Sequence, residues 1–273
     1  PERMGLPWIT ALEQPAGTLA ELRDVTMQWG ENRVLDAVNL SLQRGEQLVV
    51  VGPSGSGKST ILRLLAGLLL PSRGSVLLHG EPQRYLRLDQ QHPPDVRLVF
   101  QNPALLGSLT VEQNVGFLLY RFSRLSQGEI RERVHQALEA VGLGGIEEQM
   151  PGELSGGMQK RVSFARALIQ DPSQPSDRMP LLLFDEPTAG LDPVACTRIE
   201  DLIVHTTELA GASSVVVSHV HSTIERTAER VVLLYEGRFH WQGDLESYRS
   251  TDNPYVVQFR SGSLLGPIQP AEA

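Results

Sequence analysis

Nine residues, Gly52-Pro53-Ser54-Gly55-Ser56-Gly57-Lys58-Ser59-Thr60, stand between two apolar runs and constrain everything else the chain can fold into. Leu48-Val49-Val50-Val51 ahead of them reads as a short buried strand, and Ile61-Leu62-Arg63-Leu64-Leu65 behind them as the start of a helix. Glycine, four residues, then Gly-Lys-Ser in that setting is a phosphate-binding loop. Its glycines let the backbone close around an anion with the N–H groups turned inward. The following helix aims the positive end of its dipole at the same point. Lys58 adds a point charge for the β- and γ-phosphates, and the Ser59 hydroxyl is placed to ligand Mg²⁺. An ordinary Gly-Ser turn would require neither the strand before nor the helix after. The stretch 52–60 is expected to hold a nucleoside triphosphate in a core of α/β type.

Composition mainly excludes. Of 273 residues, 41% are hydrophobic, ordinary for a globular chain with a sizeable core. No stretch approaches the ~20 apolar residues that cross a bilayer, and the most apolar window, 61–70, carries Arg63. Glu2 and Arg3 have no apolar segment behind them, so the start does not read as a signal peptide. Cys196 is the single cysteine, which excludes an internal disulfide and fits a reducing compartment. A formal net charge of -8 argues against nucleic acid as a partner, because a duplex calls for a basic face.

In chain order, residues 1–17 form a proline-bearing lead-in, and 18–51 read as β structure with a turn at Gly30-Glu31-Asn32. The helix after the phosphate loop is expected to run to Pro71. Strands follow at 75–79 and 96–100. The middle, about 102–172, turns helical: Thr110-x-x-Gln113 and Ser126-x-x-Glu129 fit the capping box, and Ile130, Val134, Leu138 and Val141 share one face ahead of Gly142. Leu154-Ser155-Gly156-Gly157-Met158 opens a further helix, expected to reach Gln170. Leu181-Leu182-Leu183-Phe184 is an uninterrupted apolar strand of the parallel-sheet kind. Asp192-Pro193 starts a helix that Gly211 ends, and strands at 215–217 and 231–234 lead to a hairpin at Glu236-Gly237. Residues 261–273 form a tail. The chain reads as one α/β core with a helical insertion.

Carboxylates follow the 181–184 strand directly. At the C-terminal end of a buried parallel strand, where ligands collect in open sheets, Asp185 suits Mg²⁺ and Glu186 can accept a proton from the water that attacks a γ-phosphate. His219 ends the strand 215–218 at the same kind of edge; read alone, such a histidine is more often structural, and His221 competes with it. Gln101 is a neutral side chain at another strand end and by itself means little.

Together, 52–60, Gln101, Leu154–Gln159, 181–186, Ala189-Gly190-Leu191-Asp192 and His219 resemble the ATP-binding cassette (ABC) ATPases, motif by motif and in order, over about residues 19–245. The resemblance implies a P-loop core with an antiparallel β subdomain and a helical insertion, the cassette spanning 18–260. It also implies ATP and Mg²⁺ (Ser59, Gln101, Asp185), and a head-to-tail dimer with two ATP molecules between subunits. Ser155, Gly156 and Gly157 would then contact the γ-phosphate of ATP held by the other copy, as a helix N-terminus with two glycines can do. Trp29 matches the family's adenine-stacking aromatic, His219 its switch histidine, and Glu186 its catalytic base. Val220 departs from the acid usual at that place.

A finer resemblance is to the ATPases of Mla-type phospholipid transporters and the related chloroplast lipid importer of plants. It is carried by 98–117, His221–Arg226, Trp241-Gln242-Gly243 and 253–259. Leu106-Gly107 replaces the Phe-Asp frequent there, and the link Asp171–Pro180 is unusually long. That likeness implies a membrane permease, a second copy of the chain and a lipid-binding substrate protein as partners. The place implied is the cytoplasmic face of an inner membrane, or the stromal face in a plastid. After Gln101, the apolar set Leu105, Leu106, Leu109 and Phe117 is expected to seat a permease helix. The competing readings are an importer ATPase for a small polar solute and a non-transport ABC protein acting on DNA or ribosomes. The second usually carries paired cassettes or coiled-coil inserts, and neither stands in this sequence.

Overall fold

The structure is a computed structural model that describes residues 17–90, 94–170 and 179–269; the lead-in up to residue 16 and the link 171–178 lie outside the described residues. Two long strands open it, β1 (Thr18–Trp29) and β2 (Asn32–Gln43), paired antiparallel across the turn at Gly30-Glu31. Then come β3 (Gln47–Val51), α1 (Lys58–Leu65), β4 (Arg73–Leu78), the two-residue β5 (Glu81–Pro82) and β6 (Val96–Val99). Helices α2 (Val111–Val115), α3 (Phe117–Phe122), α4 (Gln127–Ala140) and α5 (Gly156–Leu168) follow. The chain then alternates through β7 (Leu181–Asp185), α6 (Pro193–Leu209), β8 (Ser213–Val217), α7 (His221–Thr227) and β9 (Arg230–Tyr235). It closes with β10 (Arg238–Asp244), α8 (Leu245–Ser250) and α9 (Pro254–Ser261).

These strands make two sheets. One is antiparallel, in the order β2-β1-β4-β5. The other runs β10-β9-β3-β8-β7-β6, parallel throughout except for β10 at its edge. Strands buried on both faces have no solvent side, which is why they read as unbroken apolar runs. Period-2 alternation divides them between two cores. Leu48, Val50, Leu183, Val215, Val217 and Leu234 meet α1 and the antiparallel sheet through Leu62, Leu64, Leu22 and Leu40. Val49, Val51, Leu182, Phe184, Val216 and Leu233 meet the helices through Val162, Phe164, Ile199 and Ile224. Phe164 and Phe184 stack with their ring centroids 5.3 Å apart.

Both capping boxes form as read: Thr110 and Ser126 accept from the backbone N–H of Gln113 and Glu129, whose side chains reach back. Strand ends differ from the reading by one or two residues, and two helix ends differ as well. Helix α1 ends at Leu65, not Pro71, because Gly67 turns left-handed at φ +68 and Leu68 N–H closes on Arg63 O. Helix α5 stops at Leu168, short of Gln170. The tail is also less free than its composition suggests. Gln258 exchanges two hydrogen bonds with the backbone of Ile268, which is buried, and Gln269 N–H donates to the Tyr235 hydroxyl.

Candidate active site

The phosphate loop joins β3 to α1 at the carboxyl edge of the parallel sheet. Its glycines are required by space as well as by angle. Gly52 stands at φ +152, where a Cβ would fall 2.1 Å from Leu234 O, and Gly57 at φ +104, where one would meet Val34 O and Leu35 Cδ2 at 3.0 Å. Gly57 is the N-cap of α1 and offers no side-chain acceptor, so the first N–H groups of the helix stay open to a ligand.

Lys58 is buried and folds back over the loop, donating from Nζ to Gly52 O at 2.8 Å and Pro53 O at 2.9 Å. Its ammonium also lies 3.8 Å from Glu186 Oε1. Burial pulls the Lys58 pKa below its ordinary range, while the Glu186 and Asp185 carboxylates push it back up. The lysine is held by carbonyls that a more strongly attracting phosphate can replace.

Ser59, next along α1, donates from Oγ to Asp185 Oδ1 at 2.8 Å. Burial raises the Asp185 pKa above the usual carboxylate range, against the Ser59 hydrogen bond. A hydroxyl and a carboxylate oxygen side by side, with burial penalising the bare anion, are a donor set suited to Mg²⁺. Glu186 sits at φ +45, an uncommon angle for a residue with a side chain, and its N–H is tied to Val217 O of β8. His219 Nδ1 lies 2.9 Å from Glu186 Oε2, yet off-line, so that oxygen accepts no hydrogen bond although it is buried.

Six loop residues (Ser54, Gly55, Gly57, Lys58, Ser59 and Thr60) together with Gln101, Glu186, His219 and Val34 line one cleft of about 330 Å³. Gly52 and Pro53 lie behind it as acceptors for Lys58, and Ser56 is buried with its hydroxyl unpartnered. Val34 was not singled out from the sequence, since nothing distinguishes it from other β residues. Trp29 is not among the lining residues; it stands half-exposed at the tip of the β1–β2 hairpin, on the strand beside the one that carries Val34. Ser155, Gly156 and Gly157 do not line the cleft either. Ser155 caps α5 by accepting from Met158 N–H, and a Cβ built on either glycine meets nothing within 4 Å.

A second concavity, also about 330 Å³, opens beside Gln101's segment and is lined by Leu106, Val115, Phe117, Leu118, Arg166 and Ile169 among others. Asn114 fixes its rim: its side chain accepts from Leu106 N–H and donates to the carbonyls of Leu106, Leu109 and Thr110. Arg166, its pKa lowered by burial, donates to Pro103 O and Ala104 O. The four residues expected to act together divide here. Leu106 and Phe117 are exposed in the groove, Leu105 packs on the helical core, and Leu109 faces a neighbouring hollow with Tyr120.

Asp185→Asn is a direct check on the donor pair. The neutral amide removes a buried charge, so the ligand-free variant should melt at or above the wild-type temperature near neutral pH. Because burial raises the folded-state pKa of Asp185, that advantage should fade as acid protonates the wild-type carboxyl. Mg²⁺-dependent hydrolysis should fall sharply in the same variant. Thermal melts at several pH values and a phosphate-release assay read both effects.

A parallel sheet with a phosphate loop at its edge, and a strand-end carboxylate pair beside it, defines a P-loop nucleotide hydrolase. Residues 35–189 match the ABC transporter family, and the chain belongs to it. Protein TRIGALACTOSYLDIACYLGLYCEROL 3, chloroplastic, of Arabidopsis thaliana is 47% identical over 268 residues, covering 94% of this chain and 78% of that protein. The intermembrane phospholipid transport system ATP-binding protein MlaF of Escherichia coli K12 is 32% identical over 259 residues, covering 94% of each. Among solved structures, the dimeric ATP-binding cassette MJ0796 in a post-hydrolysis state with ADP and Pi superposes with a TM-score of 0.70 at 31% identity. It spans 83% of this chain and 99% of that one. As an ABC ATP-binding domain the chain binds ATP and is an ATPase coupled to transport, of a family whose cassettes act as dimers with membrane permeases. Among the described residues no helix is long and apolar enough to cross a membrane.

Proposed function

We propose that this chain, as the ATP-hydrolysing subunit of an ABC transporter, drives a separate membrane permease that moves phospholipid or a related lipid between membranes. One observation carries the reading: the nucleotide cleft and the apolar groove share one short segment, with Gln101 in the first and Leu106 in the second. A pull on the groove is thereby a pull on the cleft. The lipid cargo is supported by the two relatives, one named for a galactolipid and one for phospholipid transport.

In this account the cassette spans 18–260, with its helical part at about 102–172. Backbone N–H groups of 52–60 cradle the phosphates and Lys58 neutralises them, while Trp29 stacks on adenine from the hairpin tip. Ser59, Asp185 and Gln101 would hold Mg²⁺, which would supply charge to screen the phosphate oxygens. Glu186 takes the proton of the attacking water, and His219 donates toward the γ-phosphate. Ser155, Gly156 and Gly157 complete the site of a second copy. The chain sits on the cytoplasmic face of an inner membrane, or the stromal face in a plastid, with a lipid-binding protein serving the same system.

Leu106→Asp tests the groove. A carboxylate in an apolar seat must be desolvated when a helix covers it, so co-purification with the permease should be lost while ATP binding persists. The reconstituted wild-type complex should exchange labelled phospholipid only with ATP. Capture of the permease by Leu106→Asp at the wild-type level removes the groove from the account, and stimulation by a polar solute but never by lipid removes the cargo.

A further inference from the structure

Glu200 is the most deeply buried carboxylate among the described residues, and the phosphate chemistry does not use it. It lies on α6 with no exposure at all. Its Oε1 accepts from two hydroxyls in the first turn of α7, Ser222 at 2.6 Å and Thr223 at 2.9 Å. Its Oε2 lies 3.2 Å from Arg226 Nε, an ion pair not aligned as a hydrogen bond, so that oxygen accepts none. A carboxylate held in this way is costly to bury, and between two packed helices a leucine would fill the space more cheaply.

The direction of the network shows what it joins. Thr223 has one hydroxyl proton; given to Glu200, it leaves the Thr223 oxygen to accept. Thr188 Oγ1 is 3.0 Å away, fully buried, and completes a chain from Thr188 through Thr223 to Glu200. Thr188 stands two residues after Glu186, and α7 begins two residues after His219. On its other side the same turn is held by Lys160 of α5, which donates to Pro187 O and Ala189 O. The elements that carry Glu186 and His219, whose side chains meet at 2.9 Å, are thus tied behind the cleft by the Thr188–Thr223 hydroxyl pair, which Glu200 anchors to α6.

We infer that Glu200 is a positioning residue for ATP hydrolysis, setting the Glu186–His219 geometry through Thr223 and Thr188 while touching no nucleotide. The assignment rests on the roles given above to Glu186 and His219. It predicts an effect on the chemical step and not on nucleotide affinity, because the loop 52–60 takes no part in the network.

Thr223→Val, which keeps the shape and removes the hydroxyl, is the mildest test; Thr188→Val and Glu200→Gln accompany it. In steady-state hydrolysis by the purified chain, Thr223→Val should lower kcat by roughly tenfold or more, as small misplacements of reacting groups do, with KM for ATP changed by no more than about twofold. Thr223→Ser should restore kcat. The Thr188→Val/Thr223→Val double variant should be little worse than either alone, since the links act in series. A purely structural strut predicts lower melting temperatures with kcat intact in all three. That outcome, or kcat and KM moving together, overturns the assignment. Glu186→Gln in the same assay separates the two levels: its loss of turnover with Thr223→Val unaffected sinks only the role of Glu200, whereas full turnover by Glu186→Gln sinks the reading beneath it.

Discussion

Glu186→Gln should leave ATP bound and cut turnover by about 10²–10⁴-fold, the range that a positioned general base supplies. The substitution is isosteric, and the strain of φ +45 at this position is present with either side chain. What changes is one proton acceptor and one negative charge 3.8 Å from Lys58 Nζ. Removing that charge frees Lys58 to face phosphate, so affinity for ATP should hold or rise while hydrolysis falls by that factor. Binding measured with a fluorescent ATP analogue, alongside phosphate release, separates the two. Turnover near the wild-type rate would remove Glu186 from the mechanism.

Ser155→Arg should be nearly as damaging although Ser155 lies outside the cleft of its own chain. Within one chain nothing calls for glycine at 156 or 157: neither has a positive φ, and an added Cβ meets open space. Glycine in a helix costs roughly 0.5–1 kcal/mol relative to alanine, so two of them on an exposed first turn need an outside cause. In the proposed shared site, a phosphate brought by a second copy would supply one, because it must approach the bare N–H groups closely. An arginine at the cap then fills the space that the phosphate requires. ATP hydrolysis should drop toward background, with nucleotide binding to the single chain unchanged. Full activity of Ser155→Arg would show that each chain works alone.

The parts legible in the sequence were those whose physics is local. The phosphate loop, both capping boxes, the Asp192-Pro193 helix start and the Leu181–Phe184 strand each carry their cause within a few residues. Family membership followed from the order of such pieces. What escaped depends on neighbours distant in sequence. Pro71 looked like the end of α1, but Gly67, packed against Gln83, had already turned the chain. Leu105 and Leu106 are alike in type and adjacent, and which one faces outward goes with Asn114 gripping the Leu106 backbone and Leu105 packing on the helical core. Helices α7 and α8 are too short for a 3.6-residue period to show. Glu200 follows Ile199 in an amphipathic helix and reads as a solvated acid until Ser222 and Thr223 are found against it. The signature segment's distance from its own cleft was expected from the family resemblance; the structure adds that its glycines have no steric reason inside one chain.

The shared site is the claim on which the remaining assignments depend, and molecular mass in solution tests it most directly. Light scattering of Glu186→Gln with ATP and Mg²⁺ should show the mass of two chains, returning to one without nucleotide or when Ser155→Arg is added. A mass of one chain under saturating ATP, together with full hydrolysis by the wild-type protein at that mass, would contradict the account.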